Sequence, residues 1–195
     1  MSKTSTYQPP FRRRGEGRTN YVKRLAFVKS GLVRAVVRKS TNNLSVQFVQ
    51  TDHGKDSVLT AAHTKEMNAY DYKGHGGNIP AAYLTGYLAG KKMTVKQKDA
   101  EIIVDLGIQP AIHGTRLFAA IKGMVDAGAK VKADAVAFPK TERLTGKHVD
   151  AYAQKEPSKM NRHQFALYVK EKVSIDQFSH MVDAAKKTID ERVKA

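Results

Sequence analysis

Cysteine and tryptophan are absent from this 195-residue chain, acidic residues are few, and no apolar run is long. Without cysteine there is no disulfide framework, no thiolate zinc site and no cysteine nucleophile, an absence that suits a reducing compartment. No stretch reaches the ~18 consecutive apolar residues of a membrane-spanning helix. The first residues are polar and basic with no apolar run behind them, so no secretory signal is read there. The expectation is a soluble intracellular protein. Against the 18 Asp+Glu stand 34 Lys+Arg, a net charge of +16. Such a charge on 21.6 kDa repels itself, and a polyanion relieves the repulsion. Nucleic acid is the first candidate and an anionic membrane the second. With 41% hydrophobic residues the chain can still bury a core, and its length suits one domain with extensions.

The charge is unevenly spread. Residues 1–39 hold 11 Lys+Arg and one acid, Glu16, and so supply ten of the sixteen net charges. Up to Gly17 this segment has few apolar residues beyond Tyr7 and Phe11, and it contains Pro9, Pro10 and Gly15. It buries too little surface to offset the entropy of ordering, which predicts a flexible arm. Arg12, Arg13 and Arg14 follow one another in it, and guanidinium matches phosphate in a fork that lysine lacks. Thr19 to Ser30 reads as a short helix: Thr19 or Asn20 can cap it, Tyr21, Leu25 and Val28 form one stripe, and Gly31 stands at the C-cap position. Its opposite face carries Arg18, Lys23 and Arg24. The stripe predicts a helix anchored on the body with its basic face outward.

Three strand-like segments follow: Leu32 to Lys39, Leu44 to Gln50 and Ser57 to Ala62. Asn42-Asn43 and His53-Gly54 lie in the turns between them, which argues for an antiparallel meander. On the first strand Val33, Ala35 and Val37 share one face; Arg34, Val36 and Arg38 share the other. Pro80 to Met93 reads as a helix whose Gly86 and Gly90, four apart, predict close approach to the sheet. Ile102-Ile103-Val104 predicts a strand covered on both faces, and Thr115 to Ala127 a second amphipathic helix ended by Gly128. Short helices fit Thr145 to Gln154, Arg162 to Glu171 and Ser174 to Val193, the last with capping-box spacing at Ser174 and Gln177. The fold class is α/β: a three-strand antiparallel meander plus one further strand with two packed helices, in the order strand-strand-strand-helix-strand-helix. The expected organisation is a basic arm and short helix over 1–31, an α/β domain over 32–128 and a helical extension over 129–195.

That order is shared with ribonuclease H-type nucleases, whose chemistry needs clustered carboxylates to hold two divalent ions. Here the first strand carries Arg34 and Arg38, Pro80 to Met93 holds no acid, and only Asp105 lies at a matching strand end. His53, His63, His75 and His113 lack metal-ligand spacing. The stretch Gly74-His75-Gly76-Gly77-Asn78 lacks the Lys-Ser/Thr of a nucleotide loop, and no Gly-x-Ser-x-Gly elbow occurs. Nothing calls for catalysis, a metal, a cofactor or a small-molecule substrate. A membrane surface is also disfavoured, because interfacial binding wants large apolar anchors on a basic helix. RNA fits better, since arginine-rich arms fold onto structured RNA.

Several segments resemble one family. These are Phe11-Arg12-Arg13-Arg14, Arg18-Thr19-Asn20-Tyr21, Lys29-Ser30-Gly31, Val37-Arg38-Lys39-Ser40-Thr41-Asn42, Asn78-Ile79-Pro80-Ala81-Ala82-Tyr83-Leu84-Thr85-Gly86, Asp105-Leu106-Gly107 and Gly114-Thr115-Arg116-Leu117-Phe118. In order and spacing they resemble the universal 5S-rRNA-binding family of large-subunit ribosomal proteins, which joins archaeal protein eighteen to eukaryotic protein five. The resemblance covers about residues 11 to 128, and the extension after Gly128 suits the archaeal branch. It implies a structural protein of the ribosome that binds 5S rRNA and anchors it to the large rRNA in the central protuberance, beside neighbouring ribosomal proteins. It further implies RNA contacts at Arg12, Arg13, Arg14, Arg18 and Tyr21, at Arg38, Lys39, Ser40, Asn42 and Asn43, and at His113 and Arg116. The basic helix and strand faces add Arg24 and Arg34. Tyr21 or Phe11 is available either to stack on RNA or to pack the short helix. The alternatives are a general RNA-binding module outside the ribosome and a metal-dependent nuclease.

Overall fold

Alternation builds the first layer. Val33, Ala35 and Val37 of β1 (Val33–Lys39) are buried, as are Leu44, Val46 and Phe48 of β2 (Leu44–Asp52). Side chains alternate across a strand, so each set lines one face. In the computed structural model, which describes residues 8–155, Phe165, Tyr168 and 175–193, the strands pair antiparallel with Val37 opposite Val46 and Ala35 opposite Phe48. β3 (Lys55–His63) returns antiparallel along β2. β4 (Glu101–Asp105) lies parallel to β1, and the two-residue β5 (Lys130–Val131) parallel to β4, in the sheet order β3-β2-β1-β4-β5. The expected element order is present. The fifth strand is an addition, because two residues offer no alternation to read.

Two helices cover the apolar face. α3 (Ile79–Lys96) starts at Asn78, whose Oδ1 accepts the Ala81 N–H at 2.7 Å, with Pro80 in its first turn. α4 (Arg116–Asp126) packs beside it. The expectation that Gly86 and Gly90 meet the sheet is corrected, since they meet α4. A Cβ on Gly86 would lie 2.0 Å from the Ala120 carbonyl oxygen, and one on Gly90 2.7 Å from the Ala127 Cβ. Gly123 returns the contact, with only 2.2 Å between its ideal Cβ and the Tyr83 carbonyl oxygen. Glycines four apart mark a helix face that is approached closely; they do not say by what. The double cover expected for β4 is corrected as well. Ile102 is buried but Ile103 and Val104 are half-buried, and Ile103 lies opposite Arg34 on the face that α3 and α4 leave uncovered.

Beyond Gly128 the helix expected over Thr145 to Gln154 is present as α6 (Lys147–Lys155), and a short helix not expected, α5 (Thr141–Thr145), precedes it and ends at Gly146 with φ +85°. The helix expected over Arg162 to Glu171 lies outside the described residues apart from Phe165 and Tyr168. After a 3-10 turn at Ile175–Gln177 comes α7 (Phe178–Arg192), whose stripe Phe178, Val182, Ala185 and Ile189 is buried. The capping box expected at Ser174 and Gln177 falls partly outside the described residues. Ser174 is outside the described residues, Gln177 makes no cap bond, and the Asp150 carboxylate of α6 accepts the N–H groups of Phe178 at 2.8 Å and Ser179 at 3.2 Å. Polar contacts fasten α7 to α3. Tyr87 donates to Asp190 at 2.7 Å, and Lys186 donates to the Tyr83 hydroxyl at 3.1 Å while lying over the Tyr87 ring. Burial and the neighbouring Asp126 push the Tyr83 hydroxyl well above the usual phenol range.

Candidate nucleic-acid interface

The outer face of the sheet, away from α3 and α4, is where the basic elements converge. The described part of the arm is folded. α1 (Arg12–Gly15) is a single turn closed by the N–H groups of Arg14 and Gly15 on the Phe11 carbonyl. Glu16 explains the turn electrostatically, lying 3.6 Å from Arg12 and 3.2 Å from Arg18. α2 (Tyr21–Lys29) is capped by Asn20, whose side chain accepts from Val22 and Lys23, and ends before Gly31 with φ +66°. Its stripe does not anchor it as expected. No residue of α2 is buried, and Leu25 is 55% exposed. An ion pair holds it instead, from Arg24 to Asp56 at 2.9 Å. Phe11 and Tyr21 sit with ring centroids 5.1 Å apart, so each packs on the other rather than in the core.

Beneath α2 runs a ladder of alternating charge. Asp56 binds Arg24 and also Arg34, at 2.7 Å. Arg34 donates to Thr51 as well at 2.9 Å and lies 4.0 Å from Asp105. Asp105 pairs with Arg38 at 3.2 Å and accepts the Gly107 N–H at 2.7 Å. Burial alone would raise the Asp56 carboxyl. Hydrogen bonds from Thr51 and Arg34, with the charges of Arg34 and Arg24, outweigh it and hold Asp56 below the usual carboxylate value. Arg34 is only 3% exposed, and its Nε has no hydrogen-bond partner. The alternation that put Arg34 on a basic outer face thus identified its face but not its cover. Asp105, the one carboxylate at a nuclease-like position, is committed to Arg38 and a backbone N–H. Among the described residues no three His, Asp or Glu side chains gather in metal-binding geometry.

Between α2 and the sheet is a cleft of about 120 Å³ lined by Arg13, Arg18, Lys23, Arg24, Arg34 and Arg38 with Asp105 as the one carboxylate. Six cations and one acid line this small recess, Asp56 and Glu16 pair three of the six from outside its lining, and its low-dielectric walls concentrate the field that remains. Lys23 and Asp56 were not among the site residues read from the sequence. Lys23 is legible as the residue beside Arg24 on the basic helix face, whereas nothing local marks Asp56, 22 residues from Arg34 along the chain.

The turn after β1 gathers a second group. The Ser40 hydroxyl donates to the Asn43 carbonyl and accepts its N–H, both at 3.1 Å, and Thr64 donates to Asn43 Oδ1 at 3.1 Å. Arg116 donates one nitrogen to the carbonyls of Thr41 at 3.2 Å and Gly77 at 2.8 Å, tying this turn to the glycine-rich loop before α3. Lys39 is half-buried, and Asn42 is exposed at the tip. His113 stands apart, exposed and edge-on to Phe118 at 5.7 Å. Of the residues read from the sequence, Arg13, Arg18, Arg24, Arg34 and Arg38 share one cleft; Ser40, Asn42, Asn43 and Arg116 share one turn. Arg12 and Arg14 project from the arm.

The family described as "Ribosomal large subunit proteins 60S L5, and 50S L18" matches residues 5–103. The chain is 39% identical over 191 residues to the large ribosomal subunit protein uL18 of Methanococcus maripaludis, covering 97% of this chain and 98% of that one. It is 36% identical over 191 residues to the large ribosomal subunit protein uL18 of Methanosphaera stadtmanae, covering 98% of each.

Proposed function

Because this chain belongs to the family of ribosomal large subunit proteins 60S L5 and 50S L18, it is a structural component of the large ribosomal subunit and not an enzyme, and we propose that the RNA it holds is 5S rRNA. In this reading it anchors 5S rRNA to the large rRNA in the central protuberance, among neighbouring ribosomal proteins. The observation that carries it is the six-cation cleft between the arm, α2 and the outer sheet face. Phosphate contacts fix position and register, and RNA helices are read mainly by shape and backbone. Arg12, Arg13, Arg14 and Arg18 are the first phosphate contacts, since they are exposed and among the described residues Glu16 is the one acid that pairs with them. Arg24 and Arg38 follow in the cleft, and Tyr21 stands with Arg14 on the neighbouring surface. Arg34 acts from beneath, as a buried charge that holds Asp56 and Asp105. Lys39, Ser40, Asn42, Asn43, Arg116 and His113 extend the contact past the end of β1.

A competition titration tests the reading. Labelled 5S rRNA is challenged with unlabelled 5S rRNA or with a length-matched structured RNA, at near-physiological and at raised salt. A preference for 5S rRNA that survives raised salt is expected. Equal competition by both RNAs would leave a general RNA-binding protein and overturn the 5S assignment.

A further inference from the structure

A second recess, of about 670 Å³, opens past the C-terminal end of β1. Asn42 and Asn43 form one wall, Lys65 and Asn68 of the 3-10 turn Thr64–Tyr70 another, and Lys73 and His75 the third. These walls are tied together. Thr64 bridges Asn43 Oδ1 and the Leu44 N–H, at 3.1 Å each. A Cβ on Gly76 would lie 2.9 Å from the Asn42 carbonyl oxygen, so the glycine loop packs directly on the turn after β1. The His75 N–H donates to the Tyr168 hydroxyl at 3.0 Å. A recess fixed in this way loses little conformational freedom when a ligand enters.

Its chemistry is one-sided. Among the described residues no carboxylate lines it. Lys65 and Lys73 are exposed and make no ion pair among the described residues, and the side chains of Asn42 and Asn68 are likewise without hydrogen bonds there. His75 Nδ1 accepts the Gly77 N–H at 3.1 Å, which leaves Nε2 as the N–H donor of the neutral ring. The recess therefore offers two ammonium groups, an imidazole donor and amides that both give and accept. Its volume is that of a site for one organic molecule of moderate size, roughly one or two nucleotides, and too small to take in a base-paired helix. Free base edges and splayed phosphates are features of unpaired RNA.

We infer that this recess binds an unpaired RNA segment, with phosphates on Lys65 and Lys73 and base edges or 2′-hydroxyls on Asn42, Asn68 and His75. The inference rests on the reading of the chain as an rRNA binder and adds Lys65, Asn68, Lys73 and His75 to its contacts. It also separates the molecule's RNA surface into an arginine cleft for helical backbone and an amide–lysine recess for a single strand.

The absence of cysteine makes a direct test possible. Ala69→Cys, exposed beside Asn68, carries a photoactivatable cross-linker on the full chain, which is illuminated with 5S rRNA and, in a separate arm, with large-subunit rRNA. Cross-links to unpaired nucleotides in either arm are expected, and the arm that reacts names the source. No cross-link, or cross-links confined to paired nucleotides, overturns the inference. The Lys65→Gln/Lys73→Gln variant, tested on the RNA that cross-links, should flatten the log–log salt dependence by about 1.4, at about 0.7 for each single-strand phosphate. Its melting temperature should be unchanged. An unaltered slope overturns the inference too. Cross-links to unpaired nucleotides from a protein without preference for 5S rRNA would uphold the recess and sink the 5S assignment alone.

Discussion

Asp56 holds two arginines at once, and one of them is buried. In Asp56→Asn the Arg34 guanidinium keeps only Asp105, at 4.0 Å, as a carboxylate neighbour. Arg34 is buried but the Asp56 side chain is 31% exposed, so removing the carboxylate charge from one side has an expected cost of about 1.5 kcal/mol, read as a lower urea midpoint at unchanged slope. The effect carries a pH signature. The Asp56 carboxyl is depressed in the folded state below its ordinary value of 3.8. Its contribution is therefore full above that pH and lost as the pH falls through the lower folded value. The stability gap between wild type and Asp56→Asn should be constant from pH 5 to 7 and should narrow below pH 3.8. A gap that persisted into acid would show that the carboxylate charge was not the cause. Arginine and aspartate identities are plain in the sequence, but the pairing of Arg34 with Asp56 depends on which turn of the meander comes to lie beside β1.

At the scale of elements, the α3–α4 contact is the most demanding piece of packing. Gly86→Ala should gain about 1 kcal/mol of helix propensity. It should lose more than that, because the new Cβ falls 2.0 Å from the Ala120 carbonyl oxygen, where backbone must shift. Overpacking typically costs up to about 3 kcal/mol and here meets backbone rather than a flexible side chain. A net loss of roughly 2 kcal/mol in chemical denaturation is expected, and a stabilised variant would refute the contact. The start of α7 gives a second check. Asp150→Ala removes the carboxylate that accepts the Phe178 and Ser179 N–H groups, and about 1 kcal/mol should go with it. Periodicity made the strands, α3, α4 and the stripe of α7 legible, because burial on one side imposes a repeat. It missed the Asp150 cap of α7 and β5, since a cap borrowed from another helix and a two-residue strand have no local repeat. It also misread α2, whose apolar stripe is real but whose attachment is ionic.

Across the whole molecule, charge is concentrated in a segment that contributes little to the core. Arg12, Arg13 and Arg14 lie in α1, which buries no residue. Replacing all three with alanine should leave the melting temperature unchanged and flatten the log–log salt dependence of RNA binding by about 2 to 3. An unchanged slope would remove the arm from the phosphate contacts. By contrast the α/β body supplies rigidity: its sheet and two helices position the arginine cleft and the recess past β1, and of the cleft's cations only Arg34 and Arg38 come from the sheet. The sequence by itself determined the polyanion partner, the α/β order and the basic arm, because net charge and hydrophobic period are properties of the chain read along its length. Only the tertiary structure decided which arginines are exposed and which are paired, and that the glycines of α3 face a helix. It also decided that three distant turns close into one recess. Each of these depends on segments far apart in the chain meeting in space, and no local pattern encodes the partner.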